Sequence, residues 1–124
     1  MKALLNQTFP VPTLPSIEIP NQTSITVYNM GRAFSIRTVE ITHFEGVGNY
    51  TFACTRNGRY LISKCLKTIH DMVGNDFVRV HKSYIINRQH IKSRLFSHIQ
   101  LSCGKDITIA RRRLRETHET LAIK

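Results

Sequence analysis

Acidic residues are scarce in this chain of 124 residues: eight Asp and Glu stand against eighteen Lys and Arg, a formal net charge of +10. None of the eight forms a close carboxylate pair, and there is no Gly-rich phosphate loop, no nucleophile elbow and no His-Glu-x-x-His. Cys65 and His70 lie five residues apart on one expected helix and give no useful nucleophile geometry without a third group, so Cys65 reads as structural. The expectation is a protein that is not an enzyme. Cysteine is also sparse: Cys54, Cys65 and Cys103 are odd in number and far apart, which points to neither a disulfide framework nor a zinc site. No metal and no cofactor is called for, and a reducing cytoplasm is the expected compartment. Long apolar runs are missing too. Met1–Asn6 is too short an apolar start for a signal-peptide core, no window approaches a membrane span, and the basic residues fall mostly outside long helical periods, so no membrane partner is expected.

What is present is cationic and unevenly placed. Between Phe77 and Arg115 there are ten Lys and Arg against the single acid Asp106, so this third of the chain holds nearly all of the net charge. If folding gathers these cations on one face, they form the electrostatic footprint of a polyanion site. Small acidic substrates need only a few cations in a pocket, so they are a poorer fit than a nucleic acid. At this length the chain can bury one core without disulfides or metal.

All four prolines fall within the first 20 residues, so residues 1–24 read as an extended tail preceding a domain over 25–124. From there, period-two alternation predicts strands over Ile25–Tyr28, Ala33–Ile36 and Val39–Phe44. Gly46–Asn49 reads as a turn before a strand over Tyr50–Thr55, and Asn57-Gly58 as a hairpin turn into Arg59–Ile62. Ser63 is a candidate cap for a helix reaching Val73, with Leu66, Ile69 and Val73 on one face and Gly74 as its stop. Phe77–His81 reads as a strand and Ser83–His90 as a helical turn. Strands over Ile91–Phe96, His98–Cys103 and Asp106–Ile109 precede a final helix from Arg111 to Ile123. The expected class is mainly β, with small antiparallel sheets and two short helices.

Several of these segments together resemble a known family. Ile41-Thr-His-Phe-Glu45 before a Gly-rich turn, Asn49-Tyr50-Thr51, Arg79-x-His81-x-Ser83-x-x-x-Asn87, and Arg111-Arg112 after the last strand are similar to the LytTR (LytR/AlgR-type) DNA-binding domain of bacterial response regulators. The likeness covers roughly residues 25–120. It implies an elongated fold of antiparallel sheets whose loops enter successive major grooves on one side of double-stranded DNA, hence a cytoplasmic bacterial transcription regulator of the two-component type. Members usually carry a receiver domain in front, and 24 residues leave no room for one. The expectation is therefore a stand-alone domain, with any control coming from a regulatory protein in trans or from expression level, and with a homodimer on repeated half-sites as a further partner.

The resemblance also implies roles for individual residues. Lys82, at the end of a strand, matches a DNA-contacting position, and Arg111 matches a base-reading arginine. Tyr50 matches a groove-contacting position next to Asn49, although a turn asparagine also serves backbone geometry and a strand tyrosine also packs in a sheet. Ser83 is placed either to bond a phosphate or to cap the turn after it. Arg112 and Arg113 face phosphate or solvent, because successive helical residues point in different directions. Arg79 and His81 share the face of Phe77, and are structural if that face is interior or phosphate contacts if it meets DNA. Asn87 is expected to bond local backbone and to be partly buried.

Two other readings compete. A basic RNA-binding or ribosome-associated β module would display aromatics for stacking, whereas Tyr28, Phe34, Phe44, Phe52, Tyr60 and Phe96 stand at core-like positions. A degenerate family member acting only in protein interaction would have little reason to keep both Lys82 and Arg111.

Overall fold

The computed structural model describes residues 23–122. Of the expected tail, all but Thr23 and Ser24 lies outside the described residues, as does the last expected helical residue, Ile123. The strands are β1 (Ser24–Asn29), β2 (Arg32–Arg37), β3 (Ile41–Val47), β4 (Tyr50–Thr55), β5 (Gly58–Ile62), β6 (Phe77–His81), β7 (Tyr84–Asn87), β8 (Ile91–Arg94), β9 (His98–Leu101) and β10 (Asp106–Thr108). Helix α1 spans Leu66–Met72 and α2 spans Leu114–Ala122. Seven strands form one antiparallel sheet in the order β2-β1-β5-β4-β3-β7-β6, and three form a second in the order β10-β9-β8. The fold is thus mostly antiparallel β with two short helices, as the sequence implies. Among the described residues, no helix is long and apolar enough to cross a membrane.

Two apolar cores lie on opposite faces of β6 and β7. Phe77 and Ile85 join Phe44, Ile41 and Ile62 beneath α1, which contributes Leu66 and Ile69. Val78, Val80 and Ile86 face the other way, against Ile99, Leu101 and Ile107 of the small sheet, with Leu114 and Leu121 of α2 packed at the side. Each fully buried isoleucine contributes about 2 kcal/mol by leaving water. This two-sided burial explains the chief departure from the sequence reading: Tyr84–Asn87 is a strand, not a helical turn, and only Arg88–His90 forms a 3-10 turn. A short strand covered on both faces shows a continuous apolar run, Ile85-Ile86, rather than alternation.

Other expectations shift by smaller amounts. Ser63 does not cap α1; Cys65 occupies the cap position, without a side-chain cap bond. Thr38–Glu40 is a 3-10 turn, and β3 runs on through Gly46 to Val47, so the turn to β4 is the pair Gly48-Asn49 alone. Gly48 sits there at φ 61°, a conformation that glycine adopts without a Cβ penalty. The β4–β5 hairpin turns at Arg56-Asn57, with Gly58 already paired to Thr55. Arg111–Arg113 form a 3-10 turn that leads into α2. Of the aromatics read as core, Phe44 is fully buried, but Tyr28 and Phe34 are exposed and Phe96 is 72% exposed at the β8–β9 tip.

Asn87 is buried to a degree the sequence did not indicate, at 2% exposure. Its Nδ2 donates to the Ile41 carbonyl at 2.9 Å and the Thr38 carbonyl at 3.4 Å, while its Oδ1 accepts from the Gln89 amide at 2.9 Å. Only the last of these bonds is local. The other two clip the end of β7 to the start of β3, across more than 40 residues of chain.

Candidate nucleic-acid interface

The central strands bring three separate segments to one end of the large sheet. Strand β3 pairs with β7 through Glu45 opposite Tyr84, and one step further the Gly46 amide donates to the Ser83 carbonyl at 2.8 Å. That bond sets the Lys82-Ser83 turn beside the end of β3, and the Gly48-Asn49 turn and Tyr50 follow directly, with Val47 opposite Tyr50. On the far side of the turn, the Ala110 amide donates to the Val80 carbonyl at 2.8 Å. Arg111 therefore begins its 3-10 turn next to the end of β6, where Lys82 leaves it.

Arg79 and His81 build this turn. The Arg79 guanidinium donates from Nε to the His81 carbonyl at 3.3 Å and from Nη2 to the Lys82 carbonyl at 2.7 Å. His81 Nδ1 accepts the Ser83 amide at 3.1 Å. A β-bulge between Arg79 and His81 breaks the register with β7, and these three bonds take up backbone groups that the ladder leaves unpaired. The interior alternative for these two residues therefore describes their hydrogen bonding, although both side chains remain half-buried rather than enclosed. Ser83 caps no helical turn, because a strand follows it.

The remaining expected residues stand outward. Lys82, Arg111 and Arg112 are exposed, and their side chains have no hydrogen-bond or ion-pair partner among the described residues. Asn49 is exposed in its two-residue turn, and Tyr50 is 53% exposed rather than packed in the sheet. The seven-stranded sheet thus ends in a rim of free cationic, amide and phenol groups, all donors suited to phosphate oxygens and base edges.

The model of the LytTr DNA-binding domain matches residues 31–122, most of the chain. The chain belongs to the LytTR family of DNA-binding domains. A curated relative, the heme-containing CO-sensing transcriptional regulator RcoM 1 of Paraburkholderia xenovorans (strain LB400), is 33% identical over 67 residues, which is 53% of this chain and 25% of that protein. The LytTR chain thus matches about a quarter of that relative's length. In structure it is similar to the LytTr DNA-binding domain of a protein from Bacillus cereus described as a methyl-accepting/DNA response regulator. The TM-score is 0.75 at 15% identity, covering 83% of this chain and 100% of that one, a likeness of fold.

Sequence reasoning about the LytTR motif did not bring together two residues beside this rim. His70 of α1 and Arg113 line a cleft with Arg79. Arg113 read, with Arg112, as meeting phosphate or solvent, and nothing in the spacing of His70 tied it to β6; both line the cleft because α1 and the 3-10 turn leading into α2 flank the same strand.

Proposed function

We propose that this domain binds double-stranded DNA sequence-specifically as a transcription regulator, reading the major groove through the turns at the rim. The observation that carries the reading is the convergence of Lys82, the Gly48–Tyr50 segment and Arg111 at one end of the sheet, held by the Gly46–Ser83 and Ala110–Val80 backbone bonds. In this reading Arg111 contacts a base edge, because an exposed guanidinium offers two parallel donors matched to guanine. Lys82 anchors the backbone or supports readout beside it, Arg112 meets phosphate, and Tyr50 and Asn49 enter the groove. Arg79, His81 and the Ser83 backbone set the position of Lys82. Two copies bind repeated half-sites, and the protein acts where the DNA is, in the cytoplasm.

Selection of bound duplexes from a random pool, at one fixed salt concentration, tests the reading. The expected result is an enriched motif, with binding to single strands and RNA of the same length weaker than to the duplex. A folded sample that enriches no motif would refute sequence-specific reading, and preference for RNA would replace the substrate.

A further inference from the structure

Beside the rim, β6, α1 and α2 enclose a cleft of about 470 Å³ whose walls include His70, Arg79, Arg113, Asp76, Glu116 and Arg88. Asp76 and Glu116 form no ion pair with Arg79 or Arg113 among the described residues. Asp76 Oδ2 accepts from Gln89 Nε2 at 3.1 Å. Arg88 Nη2 is committed to the Thr120 carbonyl at 2.9 Å. Arg79 is held below its ordinary range by burial and then by Arg113, and His70 by burial and then by Arg79, with Asp71 and Glu116 acting the other way. Two guanidiniums are thus kept beside a half-buried imidazole, and an anion between them would relieve the repulsion of Arg113 on Arg79.

We propose that this cleft is a binding site for a phosphate-type anion, seated between Arg79, Arg113 and His70. Its chemistry follows from the donors: a guanidinium fork matches a tetrahedral oxyanion with two parallel N–H bonds, and Arg113 has its fork free. Occupancy also reaches the Lys82 turn, since the Arg79 guanidinium that would turn toward the anion is the group holding the Lys82 carbonyl. The ligand is either a free phosphate compound or a backbone phosphate of bound DNA. The first of these stands whether or not the domain reads DNA sequence.

The test is a titration of the isotope-labelled intact chain with inorganic phosphate, followed by amide NMR at constant ionic strength maintained with chloride. Saturable shifts are expected at His70, Arg79 and Arg113, and at Lys82 through Arg79, with affinity falling about tenfold or more in Arg113→Gln and in Arg79→Lys. Shifts that rise linearly without saturating, or that appear equally at Lys92 and Arg94, would overturn the proposal, as would unchanged binding in both variants. The wild-type titration decides even if a variant fails to fold. Repeating it with saturating duplex separates the sources: undiminished phosphate binding identifies a free anion, and competitive displacement identifies a DNA phosphate.

Discussion

At the scale of single residues, Arg111 and His43 mark what a side chain does when it is left free or enclosed. Arg111→Ala is predicted to cost about 1–3 kcal/mol on the selected site and to relax preference at one base pair. Competition titrations against single-base variants check this, and equal weakening on all sequences would make Arg111 a phosphate contact. His43 is 5% exposed, lies within 2.8 Å of Thr42 Oγ1, and has its pKa pushed down to about 4, first by burial and then by Lys105. Above pH 6.5 both folded and unfolded chains hold it neutral, so it costs nothing. As pH falls toward 4 the unfolded chain takes up the proton and the folded one does not, so stability is lost at up to about 1.4 kcal/mol per pH unit, roughly 3 kcal/mol in all. Urea denaturation of the wild type and His43→Asn at pH 7, 6 and 5 should show a shallower loss in the variant; parallel lines would remove His43 as the cause. The exposure of Arg111 and the burial of His43 were not equally legible in the sequence. Lys82 and Arg111 could be picked out because the motif places them at strand ends, whereas His43 is one alternating residue of a strand, and its burial depends on the small sheet that covers it.

At the scale of elements, alternation and turn chemistry located the hairpins β1–β2, β3–β4 and β4–β5, with the buried Ile25 and Val27 of β1 alternating with exposed neighbours and Gly48 and Asn57-Gly58 marking the two later turns. The same signal failed at β7, whose Ile85 and Ile86 are buried on opposite faces in two different cores. It also left Arg79 and His81 undecided: period two put them on the face of Phe77, but their partners are carbonyl and amide groups of a bulged turn whose shape no local pattern encodes. Asn87 is the element-scale counterpart, a polar side chain that closes β7 against β3. Asn87→Ala should destabilise the fold by about 2–4 kcal/mol, because it leaves two buried backbone groups with fewer partners. Asn87→Asp should cost at least as much, since it keeps the shape but brings an acceptor against the Ile41 carbonyl. Denaturant midpoints of both variants check the prediction, and a loss below about 0.5 kcal/mol in either would show that the clip contributes little.

At the scale of the whole molecule, the cationic third of the chain does not form one uniform face. Arg79 and Arg88 donate to backbone carbonyls in this structure, and Arg115 sits 3.7 Å from Glu119. If roughly six of the remaining cations reach phosphates, log affinity should fall against log salt with a slope of about −5, and a slope near zero would contradict the electrostatic reading. The proposed binding of two copies to repeated half-sites makes the placement of the rim testable. Lys82, Tyr50 and Arg111 gather at a single end of the large sheet, so if this rim is the DNA-contacting surface, as proposed, each domain meets DNA from one side only. Two domains can then pack as neighbours only when their half-sites face the same way around the helix, which recurs every 10–10.5 base pairs or so. Cooperativity on paired half-sites is therefore predicted to peak at centre-to-centre spacings near one or two helical turns and to vanish when about 5 base pairs are inserted, while affinity for a single half-site stays constant. Titrations of residues 23–124 and of the full chain on such a spacing series measure this directly. Cooperativity that ignores the helical phase would mean that the copies associate through a part of the chain other than this rigidly oriented domain.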